Sequence, residues 1–355
     1  MRQLRSGTPE EAGFSAERIQ RVSEMCAGWV ADCITPALIV LVARRGVIFM
    51  HEAWGQLGPE PDSPPVARDA LFGVASVSKP VTATAVMVLV ERGKIGINQP
   101  VQHYLPEFKG EGFEKVLVRH LLTHTSGLPY RSEAELFELG QTGIVLEPGR
   151  EMAYSNVAYN LLGELVERVS GQSFSDFTHQ NIFEPLGMKD ATFSMPGKQQ
   201  ERCIRPRPGT PFDWPDEIAG EISASSSLWA TAMDMGIFAQ TFLNGGGYCD
   251  FRLLSPATVA AMTRNQIPGI PRETIEGIPV PPCGFGWFRM EELKFPKYPS
   301  LWSLQSYGHA GASGSFLWVD PLYEMVGVYL LAMIREGVRQ LDLFVDSIMG
   351  AIVGD

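Results

Sequence analysis

Between Pro80 and Glu91 the chain reads Val-Thr-Ala-Thr-Ala-Val-Met-Val-Leu-Val, without a charge. A helix apolar on nearly every side has to be buried, so the fold must wrap a helix that begins near Pro80. The run is too short to cross a bilayer. Pro80 suits a first helical turn, where its missing N–H has no intrahelical partner to lose. Just ahead, after an extended-looking Leu71–Val74, lies Ala75-Ser76-Val77-Ser78-Lys79. Ser76 and Lys79 are three residues apart, so in a first helical turn they share a face and can exchange a proton. A helix N-terminus there aims N–H groups and partial positive charge at an anion forming beside Ser76. The competing reading is a serine-rich cap followed by a surface lysine, and an isolated S-x-x-K does not decide between them.

The remaining elements predict where that helix is buried. Ser15 can cap a helix with Ile19, Val22, Met25/Cys26 and Trp29 on one stripe. Ala37–Ala43 and Val47–Met50, around Arg44-Arg45-Gly46, read as paired strands. From about Gly93 to Gly247 the text turns helical and loop-rich. Arg119–Leu128 reads as a short helix ending at Gly127. Tyr154-Ser155-Asn156 opens a helix with Val157, Leu161, Leu165 and Val169 in phase and Gly171 as its stop, and Thr231–Leu243 makes another. Ser315–Val319 and Met325–Met333 form a second hairpin around Asp320-Pro321, before an apolar helix from about Leu341 to Val353. The expected fold is α+β: an antiparallel β-sheet formed from both chain ends and flanked by helices, with an inserted mainly helical lobe. Residues 1–72 and 248–355 would form the sheet lobe, 73–247 the helical lobe, and the active site would lie between them. The proline-rich segments Arg205–Asp216 and Ile267–Cys283 are candidate walls of a cleft.

Bulk properties narrow the function. A net charge of −11 over 355 residues, with no basic block, argues against nucleic-acid and anionic-membrane partners. No apolar leader follows Met1, and five scattered cysteines without C-x-x-C spacing fit reduced thiols, which together predict a cytoplasmic protein. His120 and His124 have the i, i+4 spacing of helical zinc ligands, but no Glu follows His120 and no third ligand is placed, so they read as structural. No metal or cofactor is expected, and the expected partner is a small-molecule acyl substrate. Ser313, in Gly311-Ala312-Ser313-Gly314, misses the nucleophile-elbow pattern by one residue and lacks a following helix.

Three motifs then occur in order: Ser76-Val77-Ser78-Lys79, Tyr154-Ser155-Asn156 and His309-Ala310-Gly311. With the Arg119–Gly127 text, Glu147-Pro148-Gly149, Glu184–Met188, Gly284-Phe285-Gly286-Trp287 and Asp320-Pro321, the chain resembles the penicillin-binding-protein/serine β-lactamase superfamily, in its class C β-lactamase and family VIII carboxylesterase branch. The resemblance spans nearly the whole chain and implies the β-lactamase/transpeptidase-like fold, with Ser76 as the nucleophile. It implies an oxyanion hole from the N–H groups of Ser76 and Ala312, with Asn156, His309, Ala310 and Gly311 in support, Asn156 orienting Lys79 and the substrate. Ser76 needs a base. Lys79 qualifies once burial and a nearby cation lower its pKa, and Tyr154 qualifies if an ammonium favours its phenolate, so the pair leaves the base undecided. The favoured assignment has Lys79 helping to deprotonate Ser76 and Tyr154 relaying the proton and activating the deacylating water.

His309-Ala310-Gly311 departs from the usual Lys-Thr-Gly, losing a permanent cation and a hydroxyl that bind a substrate carboxylate. The loss points to a carboxylesterase acting on small uncharged or aromatic esters, with a weak β-lactamase side activity left open. A β-lactamase or D-peptide/amide hydrolase, an acyltransferase and a non-catalytic binding member stay open as alternatives. Phe212, Trp214, Trp302 and Tyr307 read either as an apolar substrate wall or as ordinary packing.

Overall fold

The computed structural model describes residues 1–130, 143–194, 197–205, 222–275, 278–291, 298–332 and 340–354. Its principal elements, in chain order, are β1 (Arg5–Ser6), α1 (Ala16–Ala31), β2 (Ala37–Arg44), β3 (Val47–Gly55), α2 (Ser78–Glu91), α3 (Val118–Leu122), α4 (Asn156–Ser170), α5 (Ala232–Leu243), β4 (Phe288–Arg289), β5 (Tyr307–Ala310), β6 (Ser315–Asp320), β7 (Met325–Leu331) and α6 (Leu341–Met349). The seven strands form one sheet in the order β1-β3-β2-β7-β6-β5-β4. Both chain ends meet at its centre, where β2 pairs antiparallel with β7 and Leu41 lies opposite Val328. The sheet is antiparallel as expected, except at the margin where β1 runs parallel to β3.

Every residue of β2 is buried because both sheet faces are covered. Leu38, Val40 and Val42 pack with α1 and α6, whereas Ile39, Leu41 and Ala43 join the cluster that contains α2 and α5. A strand covered on both sides reads as a continuous apolar run. α5 lies across β2, β6 and β7, so the end of the 73–247 stretch packs with the sheet.

All residues of α2 from Ser78 to Leu89 are buried. Its polar side chains have partners, as burial requires: Ser78 Oγ donates to Ala75 O at 2.6 Å, Thr82 Oγ1 to Ala224 O at 2.6 Å and Thr84 Oγ1 to Pro80 O at 2.7 Å. Some boundaries differ from those expected. β3 continues to Gly55, and α6 stops at Met349. α3 stops at Leu122, well before Gly127, because His124 adopts a left-handed φ of 55° and cannot continue the helix.

Gly286 explains how closely the segment ahead of β4 approaches α2. It has φ 84°, and a Cβ there would lie 2.5 Å from Ala83 Cβ and 3.2 Å from Pro80 Cα. Gly286→Ala therefore combines left-handed strain with overpacking and should cost about 2–4 kcal/mol. Gly171→Ala, at φ 72° beyond α4 with nothing near its Cβ, should cost only about 1 kcal/mol. Denaturant titration of both variants checks this ordering, and equal losses would contradict it.

Candidate active site

Ser76 lies in a 3₁₀ turn, Ala75–Val77, just ahead of α2 and not in the helix's first turn. The cause is local: Ala75 has φ 48°, and Val77 N donates to Val74 O at 3.2 Å. A 3₁₀ turn eclipses positions i and i+3, so the side chains of Ser76 and Lys79 still meet. Between Val74 and Leu89, Ser76 is the one residue that is not buried.

Lys79 is fully buried, and its Nζ contacts three oxygens: Asn156 Oδ1 at 2.7 Å, Ser225 O at 3.0 Å and Ser76 Oγ at 3.2 Å. Burial holds its pKa well below the usual lysine value. A neutral amine has two N–H donors and one lone pair. Asn156 Oδ1 and Ser225 O can only accept, so in the neutral form they would take both donors and leave the lone pair for the Ser76 hydroxyl.

The Tyr154 ring lies 4.7 Å from Lys79 Nζ, and its hydroxyl faces the Ser76 side chain. Burial pushes the phenol up, which the nearby Ser76 side chain only partly opposes, so Tyr154 is a neutral phenol and not a phenolate. Ser155 caps α4 by accepting the Ala158 N–H at 3.1 Å, which fixes Tyr154 just outside the helix and Asn156 at its first position. The buried His309 places its Nδ1 2.8 Å from Ala310 O, so that nitrogen carries the proton. Burial, then Lys79, lowers its pKa to about 3, and the ring is neutral near pH 7. It lies 5.0 Å from the Phe288 ring and 6.4 Å from that of Tyr154.

The sheet is tied to the serine turn by Ser315 Oγ, which donates to Val74 O at 2.7 Å. A Cβ on Gly311 would lie 2.0 Å from Ser315 Oγ and 2.3 Å from Val74 O, so only glycine fits. The next residue, Ala312, is exposed beside the turn, and its N–H has no backbone acceptor among the described residues. Ser76, Lys79, Tyr154 and Asn156 are thus in direct contact, with His309, Ala310, Gly311 and Ala312 along the neighbouring strand end.

Sequence reasoning missed Ser225, whose backbone carbonyl anchors Lys79, and Asn160, whose Oδ1 accepts Ser225 N at 3.1 Å and Ser223 Oγ at 2.9 Å. Their signal was the i, i+4 pair Asn156 and Asn160 on one face of α4. Trp302 and Tyr307 are core residues: Trp302 packs on Phe316 at 5.9 Å and Tyr307 on Trp287 at 5.2 Å. Phe212 and Trp214 lie outside the described residues, as does the Arg205–Asp216 segment beyond Arg205. Of the second proline-rich segment, Glu273 N donates to Met152 O at 2.9 Å, and its carboxylate meets the Tyr154 backbone N–H, so this stretch does border the site. His120 and His124 have separate partners, the N–H groups of Leu117 and Ser155, and no cluster of three metal-ligating residues occurs among the described residues.

A putative D-alanyl-D-alanine carboxypeptidase of Salmonella schwarzengrund (strain CVM19633) is 27% identical over 383 aligned positions, covering 92% of this chain and 85% of that protein. Among solved structures, EstCE1, described as a hydrolase with promiscuous acyltransferase activity, superposes with a TM-score of 0.78 at 22% identity over 96% of this chain and 98% of that one. A family VIII carboxylesterase does so with a TM-score of 0.76 at 21% identity, over 95% and 98%. These likenesses establish the β-lactamase/transpeptidase-like fold. The Beta-lactamase family model matches residues 26–333, a span that takes in every site residue named above, and the chain belongs to the β-lactamase family.

Proposed function

We propose that this β-lactamase-family hydrolase works through an acyl-enzyme on Ser76 and is a carboxylesterase for small uncharged or aromatic esters. The observation that carries the proposal is the three contacts of Lys79 Nζ: with Asn156 Oδ1 and Ser225 O taking both donors of a neutral amine, its lone pair is left for the Ser76 hydroxyl. Lys79 takes the proton as Ser76 Oγ bonds to the acyl carbon. The tetrahedral oxyanion forms against the N–H groups of Ser76 and Ala312, and such donors contribute up to about 3–4 kcal/mol each. The proton then passes from Lys79 through the Tyr154 hydroxyl to the departing alkoxide. In deacylation water attacks the acyl carbon, its proton reaches Lys79 through Tyr154, and Ser76 Oγ recovers a proton as the acid leaves.

The ester preference rests on charge. His309 is neutral, Ala310 has no hydroxyl, and the Glu273 carboxylate borders Tyr154, so an anionic substrate meets repulsion where a carboxylate-binding site needs donors. A second reading, an amide or D-peptide hydrolase, is favoured by the named activity of the Salmonella relative.

Intact-mass measurement after a short pulse of a p-nitrophenyl acylate should find one acyl group on Ser76, absent in Ser76→Ala, whose turnover should fall about 10³-fold or more. No adduct and no hydrolysis with any activated acyl donor would sink the enzyme reading, and efficient cephalosporin turnover with negligible ester activity would sink the ester choice. Because Lys79 must be neutral to act, kcat/KM should fall as pH drops through its depressed pKa and level off above it, well short of the usual lysine range. His309, protonated only near pH 3, should add no second limb above about pH 4. Lys79→Arg, which cannot give up its charge, should lower kcat/KM about 10²–10⁴-fold. An acid limb unchanged in that variant would assign the titration to another group.

A further inference from the structure

The buried His124 holds three consecutive residues of the candidate site. Its carbonyl oxygen accepts Ala153 N–H at 2.9 Å, its ring stacks on Tyr154 at 4.4 Å and 24° between planes, and its Nδ1 accepts Ser155 N–H at 3.1 Å. Tyr154 is therefore gripped on its ring and at the backbone on both sides by one side chain and its own peptide. The same ring lies 4.9 Å from Tyr159, whose hydroxyl donates to Leu122 O at 3.0 Å, so the clamp is anchored in the helical packing behind it.

Two features separate His124 from an ordinary core histidine. It occupies a left-handed backbone conformation, φ 55°, which few non-glycine residues adopt. Backbone strain of this kind persists where the surroundings over-determine it, and here the surroundings are the residues around Tyr154. Its tautomer is also fixed, because Nδ1 accepts and so cannot carry the proton. A charged ring would set a second N–H against the Ser155 donor, and burial holds it neutral.

We propose that His124 is a positioning residue for Tyr154, setting where the phenol stands relative to Ser76 and hence the rate of the proton relay. The proposal rests on the reading of Tyr154 as the relay. His124 acts at a distance from the reacting atoms: it touches Tyr154 and Ser155, not the Ser76 hydroxyl.

The test is a cycle of His124→Asn, His124→Phe and Tyr154→Phe, alone and combined. Adduct formation and decay on Ser76 are followed by intact mass with p-nitrophenyl acetate, which reads rates down to hours. His124→Asn tolerates the left-handed backbone and keeps an acceptor for Ser155 N–H, so it guards against a misfolded result, and thermal melts accompany every variant. The expected result is that His124→Phe lowers kcat at least about 10-fold with little change in KM, that His124→Asn recovers part of this loss, and that neither slows the Tyr154→Phe enzyme by more than about 2-fold. If His124→Phe slows Tyr154→Phe as much as it slows wild type, the effect does not pass through Tyr154 and the proposal is overturned while the Tyr154 reading stands. If Tyr154→Phe alone keeps wild-type rates, the relay reading fails, and the proposal with it.

Discussion

Everything in the site depends on one buried amine. A charged lysine inside α2 would be costly, and a neutral one with unpaired donors would still forfeit hydrogen bonds to water. The structure meets both conditions with two acceptors drawn from distant parts of the chain. Asn156 lies 77 residues after Lys79 and Ser225 lies 146 residues after it. Asn156 reaches the amine because Ser155 caps α4 beside α2, and the Ser225 carbonyl is aimed because Asn160, on the same face of α4, holds the Ser223–Ser225 turn. Thr82, three residues after Lys79, secures the adjacent carbonyl of Ala224. The helical packing around α2 is thus organised to keep one side chain dry and satisfied.

The same economy governs the serine. Ser76 sits in a strained 3₁₀ turn set by the left-handed Ala75, and the turn is pinned from the sheet side by Ser315 Oγ on Val74 O. That contact needs β5 and β6 to come within reach of the turn, and Gly311 permits it by having no Cβ. From the resemblance alone, Gly311 is one of the residues that support the site. Its neighbours add a reason for glycine, the close approach of two backbones, and the exposed Ala312 follows from it.

How much of this was legible depends on whether the information resides in side-chain type or in backbone placement. α2 could be read because ten uncharged residues have no other stable destination than the interior, and β2 because an unbroken apolar strand implies cover on both faces. Ser76, Lys79, Tyr154 and Asn156 carry their chemistry in their side chains, so spacing and order brought them together. Ser225 contributes a carbonyl, which every residue has, and the strain at Ala75 falls on a residue type that gives no warning of positive φ. Trp302 and Tyr307 were ambiguous for a related reason: a large aromatic suits a rim or a core equally, and only their seats against Phe316 and Trp287 assign them to the core. His124 read only as structural because its partners, Ala153 to Ser155, become neighbours only after α3 stops short at Leu122.

In the proposed reaction Lys79 and His309 both start neutral, so the site offers no cation to bind an anion before the first proton transfer. The first proton transfer changes that, because ammonium on Lys79 and oxyanion on the substrate appear together. Burial, which made the neutral amine a base, then penalises the ammonium, but it also strengthens the attraction between the new charges, worth about 4 kcal/mol at 4 Å for an effective dielectric of 20. An ester gains this attraction only as the tetrahedral species forms, so the interaction favours the transition state over the bound substrate. An anionic substrate would place a charge nearby before reaction, favouring the lysine's protonated and inactive form. The neutrality of His309 and the lost hydroxyl at Ala310 are therefore consistent with the buried base: a carboxylate-binding wall beside it would compete for the electrostatics on which the proton transfer relies.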